Sequence, residues 1–547
     1  MSLKEKKEGR NQDDAGSEVM NQEYGEGPSF SDHPSGATEG LHRGLKARHM
    51  AMISIGSVVG TGIFLGSATS LSQGGPASLF LGYLCMGSLC ISVMLSLGEM
   101  CSYLPLPGGH IKLAERFVDP SLSFALGWNY WYNWIVTCPA ELSACAILIS
   151  FWNKTVSPAV WISIVMIVVI AINLLGSRGY GEAEFWFSSI KVLTIMGLIV
   201  LGIILDQGGG PKGEILGFKY WSDPGPFVQY EGIPGALGRF LGFWSVLINA
   251  AFAFIGCEIV AVTAGEAKNP RRNIPKAIRN VYFRIGVFYI LGTLVISVLV
   301  PSDEPSLSLK TSTAAKSPFV IAIRNAGIKT LPSIINAAIL TSAASAASSD
   351  IYTSSRALHS LACLGQAPRI FKWTTNQGLP LPALIVSNLF ALLAYCSISE
   401  SSAKVFGYFS AMSSLAGMLT WACICFTYIR FHRGMKVQGF DRSKLPFVSP
   451  LQPYLAYYAL GFILVIILTQ GFPVFLKGNW DTPTFVTSYL PAILFPLLYF
   501  GNKLYNKSTM VRSEEMDFLS DIKEIEQAEE EEQVPTTWHG KLLSRLA

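Results

Sequence analysis

The sequence predicts an all-α, polytopic membrane fold of about 12 transmembrane helices, and three observations carry that reading. The balance of residues is wrong for a water-soluble globule: 50% of the 547 are hydrophobic and only 14% are charged, where soluble domains carry about 25% charge. The apolar residues also come in blocks. Stretches such as 161–175, 192–205 and 281–300 hold almost no charge, and each approaches the roughly 20 residues that cross a bilayer. Finally, these blocks lack the polar face that recurs every turn on a soluble core helix.

Residues 1–45 are polar and rich in Gly, Ser, Asp and Glu, and read as a disordered N-terminal tail. With no secretory signal at its head, that tail is expected in the cytosol. A transmembrane domain over 46–505 follows, with spans expected at 50–70, 77–103, 122–151, 158–176, 183–205, 237–263, 280–300, 331–355, 380–397, 405–429, 454–473 and 484–504. An even span count puts both termini on one side, and loop charge chooses the side. Lys268, Arg271, Arg272, Lys276 and Arg279 after the sixth span, and Arg430, Arg433, Lys436, Arg442 and Lys444 after the tenth, fall inside when both termini are cytosolic. The last segment, 506–547, reads as an acidic cytosolic tail. Its helical pattern at Phe518, Leu519, Ile522 and Ile525 is read as a solvated regulatory element.

Several classes drop out. The formal charge of +4 is spread over short loops, so no nucleic-acid partner is expected. Eight of the ten cysteines, among them Cys138, Cys145, Cys257 and Cys423, lie in apolar spans and read as small hydrophobes. The seven histidines fall in tails, loops or span ends without forming a metal-ligand pair, and there is no P-loop. Neither a metal, a cofactor nor an enzymatic activity is expected.

A broken helix survives in a membrane only where its freed backbone groups line a cavity, so Gly-interrupted spans at equivalent places in two repeats mark a transport site. The first span holds Gly56, Gly60 and Gly62, and the sixth holds Gly256 followed by Cys257 and Glu258. First and sixth are equivalent members of two five-span repeats. Gly alone serves helix packing more often than breaks, but this matched pair, one member with a carboxylate, points to breaks. Amide groups freed at a break suit a carboxylate and freed carbonyls suit an ammonium, which together describe a zwitterion such as an amino acid.

Ionisable residues inside spans are costly and usually functional. Glu258, Lys191 and Glu141 are therefore proton-coupling candidates, with a static structural bond as the bland alternative for each. Glu99 sits near a span end, as a structural or gate residue, and Arg239 is expected to snorkel.

The stretch 45–56 running into Gly60-Thr61-Gly62-Ile63-Phe64-Leu65-Gly66-Ser67 resembles the opening signature of fungal amino acid permeases, members of the amino acid–polyamine–organocation superfamily. Further matches in register are Gly98-Glu99-Met100, Pro107-Gly108-Gly109, Cys138-Pro139-Ala140-Glu141, Gly265-Glu266-Ala267-Lys268-Asn269-Pro270 and Asp350-Ile351-Tyr352 with Ser355-Arg356. The resemblance implies the 5+5 inverted-repeat (LeuT-like) fold with helices 1 and 6 broken, and proton-driven amino acid uptake at the plasma membrane. It implies that amides around Gly60, Thr61 and Gly62 take the α-carboxylate. Carbonyls near Val58, Phe252, Ala253 and Ile255 would take the α-amine, and Phe252 and Phe254 would form a side-chain pocket or gate. Glu258 matches an acid linked to coupling, and Lys191 a lysine standing where sodium sits in sodium-driven cousins.

Two departures bear on substrate choice: Cys257 where relatives often have Thr, and Ser348-Ser349-Asp350 where many have an Asn-containing signature. The pocket shows no other charge to read a side chain, which favours neutral substrates, with proline among the candidates. An acidic amino acid permease, an amino acid receptor or transceptor, and a polyamine or choline carrier on the same fold stay open. The expected partners are amino acids, protons and the lipid bilayer, with tail lysines Lys4, Lys6 and Lys7 as candidate contacts for ubiquitin-ligase and trafficking machinery.

Overall fold

The computed structural model describes residues 59–106, 108–259, 270–307, 317–522 and 525; Val58 lies outside them. Among the described residues every extended element is a helix. Among the described residues nine helices are long and apolar enough to cross a membrane. They are α2 (Pro76–Tyr103), α4 (Pro120–Ile149), α6 (Gly176–Asp206), α7 (Gly235–Phe254), α8 (Asn273–Leu299), α9 (Leu331–Cys363), α10 (Leu381–Ile398), α11 (Ser402–Val437) and α13 (Thr482–Asn506). Shorter apolar helices α5 (Pro158–Leu174) and α12 (Tyr454–Thr469) occupy the fourth and eleventh expected places. The described part of the first is α1 (Ser67–Gly74), entered through a π-helical turn at Gly62–Gly66. A short amphipathic helix, α3 (His110–Phe117), lies between α2 and α4.

Local sequence sets the ends. At α4 the Asp119 carboxylate accepts the Ser121 N–H at 2.8 Å while Pro120 takes the first turn, where its missing N–H costs nothing. Asp481 does the same for Thr484 at the start of α13. Helix α9 overruns the expected 331–355 because no Gly or Pro interrupts it before Cys363.

Burial then sorts the helices. In the most apolar window of α4, 89% of residues are buried, against 11% in α13, so α4 runs through the core and α13 lies at the periphery. Helix α4 packs most heavily on α9 and α11. Outward faces are apolar too: Ile167, Leu193, Val200, Leu468, Leu497 and Phe500 are exposed. A soluble protein rarely shows so much contiguous apolar surface, whereas lipid accepts it.

Where described, the two expected break sites are helix ends, one starting after Thr61 and one stopping at Phe254, and they touch. Helix α7 stops at Phe254, short of the expected 263: Ile255 turns extended (φ −60°, ψ 140°) and Gly256 has φ +94°, a left-handed conformation that only glycine enters cheaply. Gly62 lies so close that a Cβ on it would meet the Ala253 Cα at 2.6 Å. A side chain there would push the two breaks apart.

The acidic tail departs from its solvated reading over its first part. Met516 and Phe518 are buried, and Phe518 packs on Phe117, Phe431 and Phe440. Arg116 binds Asp517 and Asp521 at 2.9 and 2.7 Å, and Arg430 donates to the Val511 carbonyl. Of the four apolar positions read as a helical pattern, Phe518 is an anchor on α3 and α11 and Leu519 is exposed, while Ile522 and Ile525 are helical.

Candidate functional site

The touching helix ends form one wall of a cavity of about 60 Å³, room for roughly four or five waters. Gly60 and Gly62 line it from the first break, and Phe252, Ala253 and Ile255 from the end of α7. Helix α4 contributes Trp134, Thr137 and Glu141. From α9, Ala346, Ser349, Asp350 and Thr353 face the same space, the i, i+3, i+4, i+7 spacing of one helical face.

Glu141 is tied to the first break. Thr61 Oγ1 donates to its Oε1 at 2.7 Å, and a Cβ on Gly60 would stand 3.7 Å from the same oxygen. Its Oε2 is buried without a hydrogen-bond partner. Glu141 therefore borders the amides at which the resemblance puts a substrate carboxylate. Across the cavity, Asp350 is 3% exposed and its Oδ2 also lacks a partner.

The other two coupling candidates sit differently. Glu258 Oε2 accepts the Gly256 N–H at 3.2 Å and the Trp421 indole N–H at 3.1 Å, so it holds the turn that ends α7. Lys191 is paired with Glu184 at 3.4 Å, both side chains 1% exposed. Ser345 and Ser188 donate to the same Glu184 at 2.6 and 3.0 Å. Lys191 thus has its own counter-ion one wall behind the cavity.

The aromatic pair divides. Phe252 borders the cavity and meets the Phe406 ring edge-on at 5.8 Å. Phe254 does not join it: it is fully buried, stacked on Tyr289 at 4.6 Å and near Tyr83 at 5.9 Å. Two residues apart on a helix are about 200° apart around its axis, so the two rings face opposite sides.

The sequence reading missed Glu184 altogether and treated Asp350 only as part of a signature. Both are acids inside expected spans, the same signal that singled out Glu141. Trp134 and Thr137 carried no such signal; only packing brings them to the cavity.

A profile of the amino acid permease family matches residues 49–513. The chain belongs to the amino acid permease family. It is 43% identical to the dicarboxylic amino acid permease of Saccharomyces cerevisiae, over 91% of this chain and 83% of that protein. It is 42% identical to the proline-specific permease of Emericella nidulans, over 91% and 92% of the two chains. The lysine-specific permease of Saccharomyces cerevisiae is 39% identical over 93% of this chain and 83% of its own length. The permease is accordingly a multi-pass membrane protein, and its broken-helix cavity lies inside the region that defines the family.

Proposed function

We propose that this permease takes up amino acids across the plasma membrane by proton symport, alternating access around the cavity between the two breaks, with both termini cytosolic. Neutral substrates are favoured. The observation that carries the coupling is the 2.7 Å bond from Thr61 to Glu141. A substrate carboxylate at the Gly60–Gly62 amides would lie beside Glu141. Two anions about 4 Å apart repel by about 4 kcal/mol at an effective dielectric constant of about 20. A proton on Glu141 removes that repulsion and restores a donor, so proton and amino acid bind together or not at all. Asp350 across the cavity and the Lys191–Glu184 pair behind it are the other charges bearing on this step, and Glu258 is held by its two donors.

The relatives' names span proline, dicarboxylic and lysine substrates, so they do not choose among side chains. The name of the dicarboxylic relative supports an acidic substrate as the second reading. Against it, the described cavity wall brings two acids and no cation, since Lys191 is engaged by Glu184. Uptake of a labelled amino acid panel into permease-deficient yeast, with and without a protonophore, tests the proposal. Concentrative uptake of neutral members that collapses with the gradient supports it. A surface-localised protein that moves none of the panel contradicts it and leaves a receptor or an organic-cation carrier, and preferential glutamate or aspartate uptake favours the second reading.

A further inference from the structure

A buried carboxylate oxygen without a partner is an unstable arrangement unless something supplies a donor. The cavity holds two, Glu141 Oε2 and Asp350 Oδ2, on residues each 3% exposed. Glu141 already has a place in the account, beside the first break. Asp350 has none. It sits on the cavity-facing stripe of α9 with Ser349 and Thr353. The nearby buried cation, Lys191, is committed to Glu184, whose oxygens also take Ser188 and Ser345. Among the described residues no side chain therefore donates to Asp350 Oδ2, a buried oxygen on a residue that lines the cavity.

We propose that Asp350 binds the ammonium group of the substrate, making a free protonated amine a condition for entry into the cavity. This rests on the proposed uptake of amino acids through that cavity. The geometry gives a zwitterion two ends to satisfy. Its carboxylate belongs at the first break, where Thr61 keeps Glu141 in place. Its ammonium then faces the C-terminal end of α7 and Asp350. Backbone carbonyls at a helix end carry only partial negative charge, and Asp350, when ionised against an arriving ammonium, supplies the full charge that matches it. The chemistry selected is a primary or secondary amine that is cationic at working pH, which admits ring amines. Amine-free analogues of the same shape would leave Asp350 without its donor, and sites built around a substrate N–H reject such analogues strongly.

The test compares an amino acid that the wild type transports with its 2-hydroxy acid analogue, using full-length tagged protein in permease-deficient yeast with surface amount measured. Wild type should concentrate the amino acid and be little inhibited by the hydroxy acid. Asp350→Asn should raise KM for the amino acid by about tenfold or more and lower the preference over the hydroxy acid by a similar factor. Asp350→Glu, which keeps the charge, should retain most of the preference. Asp350→Asn with KM and preference within about twofold of wild type would overturn the proposal while leaving amino acid uptake intact. Wild type that moves no amino acid would remove the uptake reading and this inference together. Should Asp350→Asn not reach the surface, thermal shifts of purified wild type decide: stabilisation by the amino acid but not the hydroxy acid supports it, and equal stabilisation contradicts it.

Discussion

Two buried acids in this molecule look alike in sequence and are opposites in structure. Glu99, 0% exposed near the end of α2, accepts four hydrogen bonds: from Tyr428 Oη at 2.8 Å, from Arg442 Nε and Nη2 at 2.7 Å each, and from the Ser449 N–H at 2.8 Å. Asp350, on the cavity wall, has a buried oxygen with no hydrogen-bond partner among the described residues. A carboxylate surrounded by donors is finished; it ties α2, α11 and the loop after α11 into one unit. A carboxylate left open beside a cavity is finished only when a ligand or a proton arrives. Stability is thus concentrated at the Glu99 cluster, and the proposed binding lies at the cavity.

Removing each acid should separate the two roles most sharply. Glu99→Ala takes the acceptor from Tyr428 and from the Ser449 N–H and leaves Arg442 with the Ser449 carbonyl, and breaking a buried, hydrogen-bonded ion pair typically costs about 3 kcal/mol or more. The expected result is a large fall in thermal stability of the detergent-purified protein and little of it at the surface. Asp350→Asn should leave thermal stability within about 1 kcal/mol of wild type, because no protein bond to Oδ2 is lost. Equal destabilisation by both variants would erase the contrast.

The contact between the breaks gives the next effect. Gly62→Ala puts a methyl group 2.6 Å from the Ala253 Cα, and overpacking of this kind costs about 1–3 kcal/mol. Uptake per surface molecule should fall more steeply than stability, because the backbone that moves lines the cavity. Trp421→Phe takes one donor from Glu258 and should cost about 1–2 kcal/mol, read as a modest fall in melting temperature.

The smallest effect is expected at the docked tail. Arg116 meets Asp517 and Asp521, whose side chains are 47% exposed, so Arg116→Ala should cost no more than about 1 kcal/mol, seen as faster proteolysis within 510–522. Burial disfavours ionisation of Asp517, but the Ser520 backbone and hydroxyl, then Arg116 and the Leu519 N–H, outweigh it and hold the carboxyl below its usual range. Its contribution is therefore complete above the unfolded aspartate value of about 3.9 and is lost as pH falls through the lower native value. Tail protection should be flat from neutral pH to about 5 and weaken only in stronger acid.

Much of this was legible in the sequence because membranes impose simple rules. Apolar blocks located the helices, although α7 stops at Phe254 and not at 263 and α9 runs on to Cys363 and not 355. Paired glycines located the helix ends at the cavity, since Gly256 needs its positive φ and Gly62 its missing Cβ. Intramembrane charge located Glu141. It did not reveal who neutralises whom: Lys191 with Glu184, Glu258 with Trp421 and Glu99 with Arg442 are contacts between residues 7 to 343 positions apart. Phe254 escapes the cavity because two positions along a helix turn a side chain by about 200°, so nearness in sequence to Phe252 is not nearness in space. The docking of 507–522 escaped because charge dominated the tail's composition, while its burial rests on Met516 and Phe518.

The most direct test of the account is initial-rate uptake of a transported neutral amino acid at pH 5 and pH 7.5, by wild type and by Glu141→Gln at matched surface amounts. The wild type should be several-fold faster at pH 5, and Glu141→Gln should take up the substrate at rates that no longer differ between the two pH values. Full acid stimulation in Glu141→Gln would contradict the claim that proton and substrate meet at this residue.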